Sequence, residues 1–217
     1  MPADLIHLVR HGEVSNPTGV LYGRLPDFHL SELGRRMAKV AADSMAGRPI
    51  ARVTSSPLLR TRESAEPWTA EFHLPLQIDD RLIEPTNRFE GVNIRRAIRA
   101  NPLLARRLIN PWKPSWGEPF VSIAARMMAA VASAHASVDR GEVVLVSHQL
   151  PIWMVARTVQ GRRLATDPRR RRCSLSSITT VAWDPRAGGD GSGAFAEVDY
   201  QEPAAALLAE SIDLGAV

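Results

Sequence analysis

The 217-residue chain has one cysteine, Cys173, so an intrachain disulfide is excluded and cohesion falls to the hydrophobic core. With 45% hydrophobic residues, a chain of this length can bury a sizeable core, and a single domain over residues 1–217 is expected. No apolar run approaches the roughly 18 residues needed to span a bilayer, so no membrane partner is expected. The first apolar run begins at Leu5, which leaves no room for a signal peptide and points to the cytoplasm. Metal-ligand spacing is missing as well. His7, His29, His73 and His135 are scattered, so neither a metal nor another cofactor is expected. Internal repeats are absent. The net charge of +4 is modest, and the most basic run, Arg169-Arg170-Arg171-Arg172, comes without a recognition helix or an aromatic-interleaved patch. It reads as a solvated loop pairing with surface carboxylates, and nucleic acid is not an expected partner.

What the chain does have begins at its N-terminus. The apolar run Leu5-Ile6-His7-Leu8-Val9 reads as a buried strand that ends abruptly in Arg10-His11-Gly12-Glu13. Arginine offers a planar fork of donors suited to phosphate, and glycine permits close backbone approach to a ligand. The imidazole between them is a nitrogen nucleophile, partly neutral near pH 7. Alone, the motif is weak evidence, because a strand-end histidine is usually only a packed or surface side chain. A second run, Val143-Val144-Leu145-Val146, ends in Ser147-His148 and leads into a helical pattern from Pro151 to Gln160. A third, Ala51-Arg52-Val53-Thr54, ends in Ser55-Ser56-Pro57 and opens another helix, with Ser56 placed to cap it and Arg60 in its first turn. If the three strands are parallel neighbours, Arg10, His11, Arg60 and His148 converge where open α/β sheets bind ligands.

Arg10-His11-Gly12-Glu13, Ser56-Pro57-Leu58-Leu59-Arg60-Thr61-Arg62-Glu63-Ser64-Ala65, Leu82-Ile83-Glu84 and Val146-Ser147-His148 together resemble the ordered signatures of the histidine phosphatase superfamily, the phosphoglycerate-mutase-like group. The resemblance spans residues 4 to 185. It implies a three-layer α/β/α sandwich with a mostly parallel sheet, and a phosphomonoester hydrolase of the histidine acid phosphatase type acting on a small molecule. It also implies that His11 becomes phosphohistidine, that Arg10, Arg60 and His148 form the phosphate pocket, and that Glu84 is the proton donor. Asn16 and the Tyr22-Gly23-Arg24 turn resemble pocket-rim positions. By its residue type alone, Glu84 is also readable as a solvated carboxylate in the acidic stretch with Asp79 and Asp80.

Two departures bear on the activity. Gln149-Leu150-Pro151 follows His148 where the family often has glycine; Gln149 can donate to phosphate or substrate, or narrow the pocket. Pro85-Thr86-Asn87-Arg88-Phe89-Glu90-Gly91 follows Glu84 in place of the mutase run, which favours hydrolysis over a cofactor-dependent phosphomutase. A non-catalytic phospholigand-binding module is the third reading.

Elsewhere, Ser31 is expected to cap a helix with the apolar face Leu33, Met37, Val40 and Ala41. Pro67 should kink or end early the helix from Pro57 to Phe72. A long helix from Pro119 to Val138 carries Ile123, Met127, Val131 and Ala134 toward the core. Cys173 is expected to pack beside a strand from Ser177 to Trp183, which a flexible Arg186–Gly193 loop joins to a strand from Phe195 to Tyr200. Residues 85–118 read as a lid: a basic helix with Arg95, Arg96, Arg99, Arg106 and Arg107, then a Pro-rich loop with Trp112 and Trp116. For these arginines, a second anionic group of the substrate and a plain solvated face are both open. The tail from Pro203 matches no pattern, and a short helix and an unfolded end are both open.

Overall fold

The computed structural model describes residues 2–100, 117–165, 171–187 and 193–213. Strands β1 (Leu5–Arg10), β2 (Ile50–Ser55), β3 (Leu76–Ile78), β4 (Glu142–Ser147), β5 (Ile178–Asp184) and β6 (Ala194–Gln201) form one sheet in the order β3-β2-β4-β1-β5-β6. The first three neighbouring pairs in that order are parallel, and the β1–β5 and β5–β6 pairs are antiparallel. The helices are α1 (Glu32–Asp43), α2 (Leu59–Phe72), α3 (Ile94–Ala100), α4 (Phe120–His135), α5 (Gln149–Val159) and α6 (Ala205–Leu208).

The two central strands are nearly continuous apolar runs because both their faces are covered. On one face Ile6, Leu8, Val143 and Leu145 pack against Ile123, Met127 and Val131 of α4 and Trp153 and Met154 of α5. On the other, Val9, Val53, Val144 and Val146 pack against Ala41 and Ala42 of α1 and Trp68 of α2. Alternate residues of one strand thus feed two cores, which makes the expected three layers. As inferred, β2, β4 and β1 are parallel neighbours. Their ends are level: Arg10 pairs with Ser147 and Ser55 with Val146, and the ladder continues as His11 N–H donates to the Ser147 carbonyl (3.1 Å) and Ser56 N–H to that of Val146 (2.9 Å).

Several local expectations need correction. Ser56 does not cap α2; that helix starts at Leu59 after an uncapped Leu58, and the Ser56 hydroxyl is engaged with His148 instead. Pro67 does not break α2, which runs on to Phe72 with Trp68 wholly buried beside it. Packing of that indole outweighs one lost backbone bond. Ser31 does cap α1, accepting from Gly34 N–H (2.9 Å), but the buried face is Gly34, Met37, Ala38, Ala41 and Ala42, and Val40 is exposed. The face is rotated because α1 docks backbone-to-backbone. A Cβ on Gly12 would lie 2.3 Å from the Gly34 carbonyl oxygen, and one on Gly34 would lie 2.0 Å from that of Glu13. Gly12 is therefore needed for helix docking.

Gly34→Ala is consequently expected to destabilise the protein although alanine is the better helix former. Overpacking of roughly 1–3 kcal/mol, at about 2–4 °C per kcal/mol for this size, predicts a Tm lower by several degrees, measurable by calorimetry. A rise in Tm would show that the contact yields.

Residues 101–116 and 166–170 lie outside the described residues, and with them Arg106, Arg107, Trp112, Trp116, Arg169 and Arg170, as do 188–192 of the Arg186–Gly193 loop. Within the basic run, Arg172 is part-exposed and pairs with the Glu197 carboxylate, as expected of that run, and it also stacks on Tyr200 at 4.2 Å. The tail forms the short helix α6, whose Leu207 and Leu208 pack with Ala204 against Met37 and Leu175. Among the described residues, no helix is long and apolar enough to cross a membrane.

Candidate active site

The ends of β1, β2 and β4 deliver Arg10, His11, Arg60 and His148 to one point, and the loop after the Asp80–Leu82 turn adds Glu84. All five are at most 3% exposed. The Ser147 hydroxyl donates to the Leu82 carbonyl (2.7 Å), which ties the Glu84 loop to the end of β4. The His11 and His148 rings meet edge-on with centroids 5.3 Å apart, and Glu84 Oε2 lies 3.3 Å from His148 Nδ1. Arg60 stacks over the Tyr22 ring at 4.7 Å, with one guanidinium nitrogen donating to the Gly23 carbonyl (2.7 Å). Gly23 has φ +40, and a Cβ there would strike Glu90, so this turn requires glycine.

Hydrogen bonds define the tautomers. His11 Nδ1 faces the Gly12 carbonyl at 2.7 Å, and a carbonyl only accepts, so Nδ1 bears the proton and Nε2 the lone pair. Arg60 donates to His148 Nδ1 (3.3 Å), so His148 Nε2–H points to the Ser56 hydroxyl (2.8 Å). Burial, reinforced by the positive charge of Arg60 and Arg10, holds His11 well below the ordinary histidine range. Burial and Arg60 do the same for His148. Glu84 moves the other way. Burial pushes its carboxyl up to about 7, although Arg60, Arg10, Arg171 and Arg126 favour its charged form.

The structure thus brings together the four residues expected to converge and Glu84, which the resemblance named, and it excludes the solvated reading of Glu84. The three rim residues are placed differently. Arg24 donates through Nε to the Glu84 carbonyl (2.5 Å), holding that loop by its main chain. Gln149 donates to the Cys173 carbonyl (3.4 Å). Asn16 bonds the Val20 carbonyl (2.8 Å) and lines a neighbouring cavity of about 770 Å³ together with Gly19, Arg96, Arg99 and Ile212. Cys173 is buried beside Ser177 as expected, with its thiol pushed up to about 11 by burial. Sequence patterns do not reveal Arg126 and Arg171, whose charges reach Glu84, or Asp213, which meets Arg10. Arg171 is hidden within its basic run, and nothing in the tail sequence signals Asp213.

Among the described residues, His11, Glu84 and His148 are the one group able to hold a metal, with donor atoms within 4.8 Å of one another. The two buried guanidinium groups beside them favour an anion over a cation in that space.

A model of the histidine phosphatase superfamily (branch 1) matches residues 6–189, and the chain belongs to that superfamily. The uncharacterized protein Rv0525 of Mycobacterium tuberculosis is 48% identical over 202 residues, covering 92% of this chain and 96% of that protein. Glucosyl-3-phosphoglycerate phosphatase of Mycolicibacterium vanbaalenii is 31% identical over 206 residues, covering 89% and 90%. The native structure of mycobacterial glucosyl-3-phosphoglycerate phosphatase Rv2419c matches with a TM-score of 0.69 at 29% identity, over 83% of this chain and 90% of that one.

Proposed function

We propose that the protein is a phosphomonoester hydrolase acting through a phosphohistidine on His11, without a metal. The observation that carries this reading is the burial of His11, Glu84, Arg10, Arg60 and His148 together at the strand ends, where burial favours a neutral His11 and a Glu84 that is protonated below about pH 7. A neutral imidazole is a nucleophile, and a carboxylic acid is a proton donor. His11 Nε2 attacks phosphorus in line as the P–O bond to the leaving group breaks, and Glu84 gives its proton to the departing alkoxide. Glu84, now a carboxylate, takes a proton from water as that water attacks the phosphohistidine, releasing phosphate and restoring both groups. Arg10 and Arg60 spread the charge of the equatorial oxygens, the largest demand of a loose transition state, and His148 serves the pocket by accepting from Arg60.

For the substrate, the cavity lined by Arg96 and Arg99 favours a small phosphomonoester bearing a further anionic group, a class that includes the glucosyl-3-phosphoglycerate named for two relatives. The test is phosphate release from a panel of phosphomonoesters with and without such a group. Absence of release, with activity appearing once a bisphosphate is added, would make the protein a phosphomutase instead. Since side chains neutralise the phosphate, turnover should be unchanged in EDTA; loss of activity that a divalent cation restores would overturn the metal-free mechanism.

A further inference from the structure

Arg10 is 1% exposed, yet its guanidinium already grips a carboxylate. One terminal nitrogen donates to both oxygens of Asp213 at 2.8 Å each, and the other donates to the Cys173 carbonyl at 2.8 Å. The neighbouring Ile212 N–H donates to Glu13 at 2.6 Å, and Glu13 in turn accepts from the α1 cap, Ser31. Upstream, α6 is seated on Met37 and Leu175. Residues 211–213 therefore form a strap, anchored behind by α6 and tied in front to two residues of the Arg10–Glu13 motif. Ile212 lines the 770 Å³ cavity while Asp213 meets Arg10, so consecutive residues of the strap touch the cavity and the arginine.

We propose that Asp213 is an intramolecular stand-in for the phosphoryl group: the C-terminal strap occupies Arg10 when the pocket is empty, and an incoming phosphate displaces it. This rests on Arg10 being a phosphate ligand, as in the function proposed above. A guanidinium offers a carboxylate and a phosphate the same donors. A phosphate dianion brought to Arg10 would also face the Asp213 carboxylate at close range, and like charges there repel. The Asp213 side chain is 38% exposed, so it returns to water at little cost, whereas Arg10 cannot leave. Displacement lets the strap report whether a phosphate is bound.

The test compares the full chain with Asp213→Ala, and with a chain ending at Glu210 as a second variant, by calorimetric titration with inorganic phosphate. If the strap is closed about 90% of the time, apparent phosphate affinity is reduced roughly tenfold, so both variants should bind about tenfold tighter. In the full chain, hydrogen exchange at the Ile212 amide should accelerate on saturation with phosphate. Weaker binding in the variants would overturn the proposal and make Asp213 a positioning residue for Arg10. Equal affinity, or an Ile212 amide equally protected with and without phosphate, would also overturn it while leaving the phosphatase reading intact. No phosphate binding by any of the three proteins would overturn the phosphate pocket itself.

Discussion

Replacing His11 by alanine is expected to lower turnover of every phosphomonoester by roughly 10⁵-fold or more, since on the proposed mechanism it removes the covalent nucleophile on which both chemical steps depend. Its position explains why no neighbour can substitute. His148 is the nearest imidazole, but Nδ1 accepts from Arg60 and Nε2 is committed to Ser56, so neither nitrogen has a lone pair to offer phosphorus. The phosphohistidine, trapped by rapid acid-free quenching and detected by mass, should appear in the parent protein and vanish in the variant. Unchanged turnover in His11→Ala would remove His11 from the nucleophile role. Retained turnover with the label on His148 would exchange the two histidines.

Glu84→Gln is expected to slow alkyl phosphates by about 10²–10³-fold while slowing p-nitrophenyl phosphate far less in the first step, since a good leaving group departs without a proton. Equal slowing of phosphoenzyme formation for both substrates would take Glu84 out of the acid role. The pH profile supplies a second handle. The carboxyl is pushed up to about 7, chiefly by burial, so it is protonated and active below that pH and loses its proton above it. For alkyl phosphates, kcat/KM should therefore fall about tenfold per pH unit on the alkaline side. On the acid side His11, displaced downward by burial and two arginines, stays neutral through the ordinary histidine range, so the plateau should extend well below pH 6.5. In Glu84→Gln the alkaline limb should flatten. Its persistence would assign that titration to another group.

The convergence of Arg10, His11, Arg60 and His148 was legible because it depends on strand ends alone: apolar runs mark β1, β2 and β4, and a parallel order brings the residues just beyond their ends together. Glu84 was legible only through resemblance, since nothing local separates a buried carboxyl from the exposed Asp80 nearby. At Ser56 and on α1, tertiary contacts override local preference: a hydroxyl that could cap a helix serves an imidazole, and a helix that could bury Val40 turns instead to bring Gly34 against the main chain. Pro67 shows the same order of forces, because the buried Trp68 next to it outweighs the missing bond. Asp213 was illegible because its partner is 203 residues away and no periodicity links them.

The glycine pair Gly12 and Gly34 has a consequence for engineering. Because helix and loop touch there through main-chain atoms, which have no rotamers, the residue beside His11 is indexed to a rigid surface rather than to side chains that repack. The outward face of α1, with Glu32, Lys39 and Val40 exposed, is open to attachment, while its inner face keeps main-chain contact with the loop that carries His11. That helix is a handle bolted directly to the active centre, so a strain sensor attached to it would register displacement of His11 with little mechanical slack.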